Sequence, residues 1–111
     1  MTDNKLRVSM LCDIYGDLLT QKQREALEMY CNDDFSLSEI AENTGISRQG
    51  VRNQIKHAEA QLNTFEQKLG LFNKFSEVSK LIGEISENEE VKKNAEVSVK
   101  LAQIRDILSL D

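Results

Sequence analysis

The chain has 111 residues, 14 Lys/Arg against 19 Asp/Glu, a net charge of −5 and 40% apolar residues. That length suits one compact unit or a small domain with an extension, and the acidic balance argues against a nucleic-acid coat held by bulk attraction. No proline, five glycines and little strand-like alternation predict an all-α chain.

The first helix is predicted over about Lys5 to Leu19, with Val8, Leu11, Cys12, Tyr15, Leu18 and Leu19 on its inner side. Thr20 caps the next, with Gln23 at the capping-box position. That second helix runs to about Cys31 and is expected to bury Ala26, Leu27 and Tyr30. Asn32-Asp33-Asp34 is a polar turn, and Phe35 can staple the helix start that follows. Cys12 and Cys31 are too few for a disulfide framework and read as buried thiols of a reducing compartment.

Residues 36–57, SLSEIAENTGISRQGVRNQIKH, carry the signature of a helix-turn-helix. Ser36 and Glu39 form a capping box, and Leu37, Ile40 and Ala41 give the short helix an apolar face. Gly45 stands where the turn between two helices needs a positive φ. Ser47 can cap a second helix that buries Val51 and Ile55, the helix that such units place in a DNA major groove. Its charges agree. Residues 1–46 hold four Lys/Arg against nine Asp/Glu, whereas residues 47–57 hold Arg48, Arg52 and Lys56 and no acid. Spaced four apart, these cations form a stripe suited to phosphate, and the amides of Gln49 and Asn53 beside it can read base edges. Ser36 and Ser47 at helix N-termini, with Lys22 and Arg24 on the preceding helix, complete the expected DNA-binding set.

The recognition helix does not stop there. Val51, Ile55, Ala58, Leu62, Phe65, Leu69 and Phe72 continue at alternating spacings of four and three, a heptad stripe. Beyond it Phe75, Val78, Ile82 and Ile85 are offset by one residue, so a bend or break is expected near residues 70–74, where Gly70 sits. An acidic segment, Ser86 to Glu90, leads to a last helix striped by Val97, Leu101, Ile104 and Leu108. The expected organisation is a helix-turn-helix domain over 1–69 and a C-terminal helical hairpin or extension over 70–111. The stripes either close on each other within one chain or join two chains. For a homodimer the contacts expected are Leu62, Phe65, Leu69, Phe72, Leu101, Ile104 and Leu108.

Catalysis is not supported by the residue inventory. His57 is the one histidine, with no partner at metal-ligand spacing, and neither a phosphate loop nor a dinucleotide fingerprint is present. No metal, cofactor or enzymatic role is expected. No apolar run approaches the length that crosses a bilayer, and the N-terminus lacks a signal-peptide stretch, so a cytoplasmic protein without a membrane partner is expected.

Residues 19–62 resemble the helix-turn-helix of sigma-factor region 4, through Gln23-Arg24-Glu25, Tyr30, Leu37-Ser38-Glu39-Ile40-Ala41, Gly45-Ile46-Ser47-Arg48 and Val51. The chain is identified more narrowly as a member of the YlxM family, small bacterial helix-turn-helix proteins usually encoded beside signal recognition particle genes. The matching residues include Leu18-Leu19-Thr20, Lys22-Gln23, Asp33-Asp34, Ser47-Arg48-Gln49, Ile55-Lys56, Glu59 and Leu69. The resemblance implies an all-helical DNA-binding regulator linked to the signal recognition particle pathway, with components of that particle as partners. Four positions depart from the family's usual pattern: Gly50 stands for alanine, Arg52 for tyrosine, Asn53 for aspartate and His57 for arginine. The expected function is regulatory DNA binding, with duplex DNA favoured over RNA. The alternative is an RNA- or protein-binding adaptor of the particle without sequence-specific DNA binding.

Overall fold

A computed structural model describes residues 3–108. Among the described residues there are seven α-helices and no strand: α1 (Asp3–Tyr15), α2 (Gln21–Cys31), α3 (Leu37–Thr44), α4 (Arg48–Leu69), α5 (Leu71–Ser86), α6 (Glu89–Lys92) and α7 (Ala95–Ile107). They fall into two compact units, one up to Gly70 and one from Leu71 onward.

In the first unit, α4 packs against α1, α2 and α3. Its face at Val51, Ile55, Ala58 and Leu62 is the seam of the core, meeting Val8, Leu11 and Tyr15 of α1, Ala26, Leu27 and Cys31 of α2, and Ile40 of α3. Each large side chain here contributes about 1.5–3 kcal/mol by leaving water. Polar bonds then fix the register of α1 on α4. The Tyr15 hydroxyl donates to Glu66 Oε1 at 2.7 Å, and its ring lies 5.9 Å from that of Phe65.

The helix starts are capped as their sequences require. Thr20 with Gln23 and Ser36 with Glu39 form reciprocal capping boxes, and Ser47 Oγ accepts from the Gly50 N–H at 3.0 Å. Each cap satisfies an N–H group that the helix cannot satisfy itself.

Three expectations need correction. The first helix ends at Tyr15, and Gly16–Leu18 tighten into a 3-10 turn. The tighter winding turns Leu18 outward, 59% exposed, while Leu19 is buried as expected. Gly16 lies close against α1 at this bend: a Cβ there would stand 3.2 Å from Cys12 Sγ, a tight contact. Tyr30 is only half-buried; Lys5 Nζ sits 4.1 Å above its ring, and Cys31 fills the core position. Leu62, expected at a dimer contact, is fully buried within its own chain and has no surface to offer a second one.

The heptad helix breaks at Gly70, which adopts φ 64° and lets its N–H close on the Glu66 carbonyl. A residue with a Cβ resists that left-handed conformation, so the glycine supplies the stop. In the second unit α5 packs against α7. Arg105 crosses closely over Gly83, with Nη2 only 3.2 Å from where a Cβ would sit. The acidic connection contains the extra turn α6, capped by Asn88, which accepts from the Glu90 and Val91 N–H groups. Among the described residues of this unit Ile82 is the buried apolar one.

Candidate nucleic-acid interface

The helix-turn-helix is built around one backbone requirement. Gly45 adopts φ 77°, and its N–H donates to the Ala41 carbonyl at 2.9 Å, closing α3 so that the chain can reverse into α4. Thr44 reinforces that end by donating from Oγ1 to the Ile40 carbonyl at 2.8 Å. Ile40 and Val51, both 0% exposed, lock α3 and α4 together. Everything on the far face of α4 is thereby turned to solvent.

On that face lie Arg48, Gln49, Arg52, Asn53, Lys56 and His57, all exposed. At about 100° per residue, Arg48, Arg52 and Lys56 form one flank, with Gln49 and Asn53 immediately beside it. Gln49 Nε2 donates to Asn53 Oδ1 at 3.3 Å, so the two amides form a pair with further donors and an acceptor left outward. Among the described residues neither Arg48 nor Arg52 forms an ion pair. The first turn of α4 contains no acid, so the positive end of its dipole is uncompensated.

Arg52 and Lys56 stand at the lip of a cleft of about 220 Å³ whose walls include Tyr30, Leu37 and Glu59. Glu59 interrupts the basic flank one turn beyond Lys56. Burial lifts its carboxyl above the usual range, and the charge of Lys56 opposes that shift. The acid-free window read from the sequence therefore ends at an acid that shares the same flank.

Other expected contacts are placed differently. Arg24 is committed to two carboxylates, Glu28 at 2.9 Å and Asp17, which tie the 3-10 turn to α2. Hydrogen bonds to Glu28 and Asp17 raise its affinity for its proton further. Its charge is thus matched locally by two carboxylates, unlike the charges of Arg48 and Arg52. Lys22 is exposed but lines a separate cleft of about 320 Å³ with Ile46 and Gln54, off the basic flank. Ser36 shares its helix start with the Glu39 carboxylate, bonded to its own N–H at 3.1 Å, and that negative charge disfavours an anion there. Ser47 has no such acid and remains compatible with phosphate.

Gly50 lies beneath the Ser47 cap, where a Cβ would stand 3.2 Å from the Ser47 hydroxyl oxygen. Its neighbours are thus its own cap and turn, within the motif. Among the described residues no group of three His, Cys, Asp or Glu side chains is placed to share a metal ion, and no helix is long and apolar enough to cross a membrane. Sequence reasoning also missed Arg7, whose Nη1 donates to Asn63 Oδ1 of α4 at 2.7 Å. No local pattern links residues that far apart; only the packing of α1 on α4 does.

Comparison with known proteins agrees with this architecture. The profile of a family described as UPF0122, helix-turn-helix proteins of the YlxM/p13-like kind, matches residues 2–102. A UPF0122 protein of Caldanaerobacter subterraneus subsp. tengcongensis is 51% identical over 87 residues, covering 78% of this chain and 74% of the relative. One from Halalkalibacterium halodurans is 41% identical over 108 residues, 97% of this chain and 99% of the relative. A UPF0122 protein of Bacillus cereus is also 41% identical, across 91% of this chain and 99% of its own length.

Proposed function

The chain belongs to the UPF0122 family of YlxM/p13-like helix-turn-helix proteins, and on that footing we propose that it is a cytoplasmic regulator that binds duplex DNA through α4. One observation carries the reading. Arg48 and Arg52 are exposed without a carboxylate partner among the described residues, beside the bonded amides of Gln49 and Asn53, at the acid-free start of a helix-turn-helix second helix. Cations that the fold leaves unmatched keep their charge available to a partner, and a polyanion is the partner such a cluster suits. In this scheme Arg48, Arg52 and Lys56 contact phosphates, with guanine edges open to either arginine, and Gln49 and Asn53 read bases.

The acidic remainder keeps non-specific affinity low, so binding depends on a short contact and weakens steeply with salt. Crosslinking the protein in its own cells, followed by sequencing of recovered DNA and RNA, tests the proposal. A variant with Arg48, Arg52 and Lys56 changed to Ala serves as the control. Enrichment of a few duplex sites that the variant loses supports regulation of transcription. Enrichment of one structured RNA instead would replace it with an adaptor of the signal recognition particle, the role suggested by resemblance to the YlxM family. No enrichment over the variant would refute nucleic-acid binding through this face.

The same proposal includes a homodimer formed through the second unit. That unit is close to the size below which helical chains need oligomerisation to be stable. Among its described residues Ile82 is the buried apolar one, while Val78, Leu81, Ile85, Val97, Val99 and Ile104 are exposed. Two copies would cover these faces and supply two recognition helices for two half-sites. Sedimentation of the full chain and of Leu81→Glu checks this: a dimer that dissociates in the variant is the expected result, and a monomeric parent chain refutes it.

A further inference from the structure

We propose that Arg7 of α1 is a second contact to the DNA backbone, supplied from outside the helix-turn-helix and prolonging the basic flank of α4 beyond Glu59. The inference rests on the duplex-DNA reading above and deepens it.

The cations of the first unit are matched in different ways. Lys5 is paired with Asp34 at 3.2 Å and lies over Tyr30. Arg24 holds Asp17 and Glu28. Arg7 is treated differently: its anchor is the neutral amide of Asn63, 2.7 Å from Nη1, and among the described residues it has no carboxylate within ion-pair distance. Asp3 lies one turn earlier on the same helix and is not bonded to it. A guanidinium has five N–H donors in a fixed plane, and an anchor that uses one of them orients the rest without cancelling the charge.

The position follows from helix geometry. Asn63 is seven residues past Lys56, so at about 100° per residue it returns to within about 20° of the Lys56 direction. It is eleven residues past Arg52, about 16 Å along the axis at 1.5 Å per residue. Arg7 thus joins the flank occupied by Arg48, Arg52 and Lys56, too far from Arg52 to share its phosphate. Arg7 and Asn63 are both exposed, so the track is open to a partner.

The experiment measures duplex affinity of the full-length chain as a function of salt, by fluorescence anisotropy. The probe is a labelled mixed-sequence duplex of about 30 base pairs, studied between about 50 and 200 mM salt, the range over which phosphate contacts are felt. Each phosphate neutralised contributes about 0.9 to the slope of log K against log salt. Arg7→Ala and Arg7→Gln should both lower that slope by about 0.9. Arg7→Gln retains a donor for Asn63, which separates lost charge from a lost link between helices. Arg7→Lys should restore the slope. Asn63→Ala keeps the charge and should leave the slope unchanged while affinity falls a few-fold. If Arg7→Gln binds with the parent slope while Arg48→Ala lowers it, the α1 contact is refuted and the α4 reading stands. If the parent chain shows no salt-dependent binding, both are refuted.

Discussion

Replacing Leu62 with Ala separates the two roles open to the α4 stripe, core or interface between copies. Leu62 is 0% exposed and sits where α4 crosses the N-terminal helices, fully covered by its own chain. Truncation removes three carbon atoms, about 2.4 kcal/mol of transfer free energy at ~0.8 kcal/mol each. The cavity left behind adds about 1–2 kcal/mol at ~24 cal/mol per Å³, for a total loss of about 3–4 kcal/mol. For a unit of this size the melting point should fall by at least about 12 °C. Urea unfolding followed by far-ultraviolet circular dichroism, at two protein concentrations well apart, measures the effect. Leu69→Ala is the comparison: at 50% exposure that side chain should cost less than about 1 kcal/mol. A loss below about 1 kcal/mol for Leu62→Ala would refute the packing argument. So would a large loss that disappears at the higher concentration, since that places Leu62 between chains.

Two further outcomes follow from the turn and from the buried thiols. Gly45→Ala should cost about 1–2 kcal/mol, because φ 77° is unfavourable for a residue with a Cβ; nothing lies within 4 Å of that Cβ, so the cost is backbone strain alone. A neutral effect in urea unfolding would mean the turn is not left-handed. Burial, then the Glu59 charge, pushes the Cys31 thiol up to about 11 from an ordinary 9.0. The folded state therefore keeps a proton that the unfolded state has already lost, so this thiol's contribution falls as pH rises from 9 through about 11. Stability should drop less steeply across that window in Cys31→Val, and a thiol reagent at neutral pH should label Cys31 only as fast as the protein unfolds. Immediate labelling of the folded protein would contradict the burial.

The sequence by itself determined the elements whose causes are local. Thr20 with Gln23, Ser36 with Glu39, and Ser47 set helix starts, because a cap and the N–H groups it satisfies lie within three residues. Gly45 and Gly70 marked turn and stop, since a positive φ is a property of one residue. Periodicity at 3.6 residues identified Val51, Ile55, Ala58 and Leu62 as one face. Tertiary structure decided what depends on distant neighbours. It tightened residues 16–18 into a 3-10 turn and so turned Leu18 outward while Leu19 stayed buried, because the winding of a short turn depends on what packs around it. Leu62 went to the core rather than to a partner, since periodicity tells which residues share a face and not what covers it. The cations were sorted in the same way. Arg24 was neutralised by Asp17 and Glu28, Glu59 was set into the basic flank, and Arg7 was brought onto Asn63 across 56 residues. Net charge is a sum over composition, but the charge a partner meets is fixed by which opposite charges the fold brings within reach.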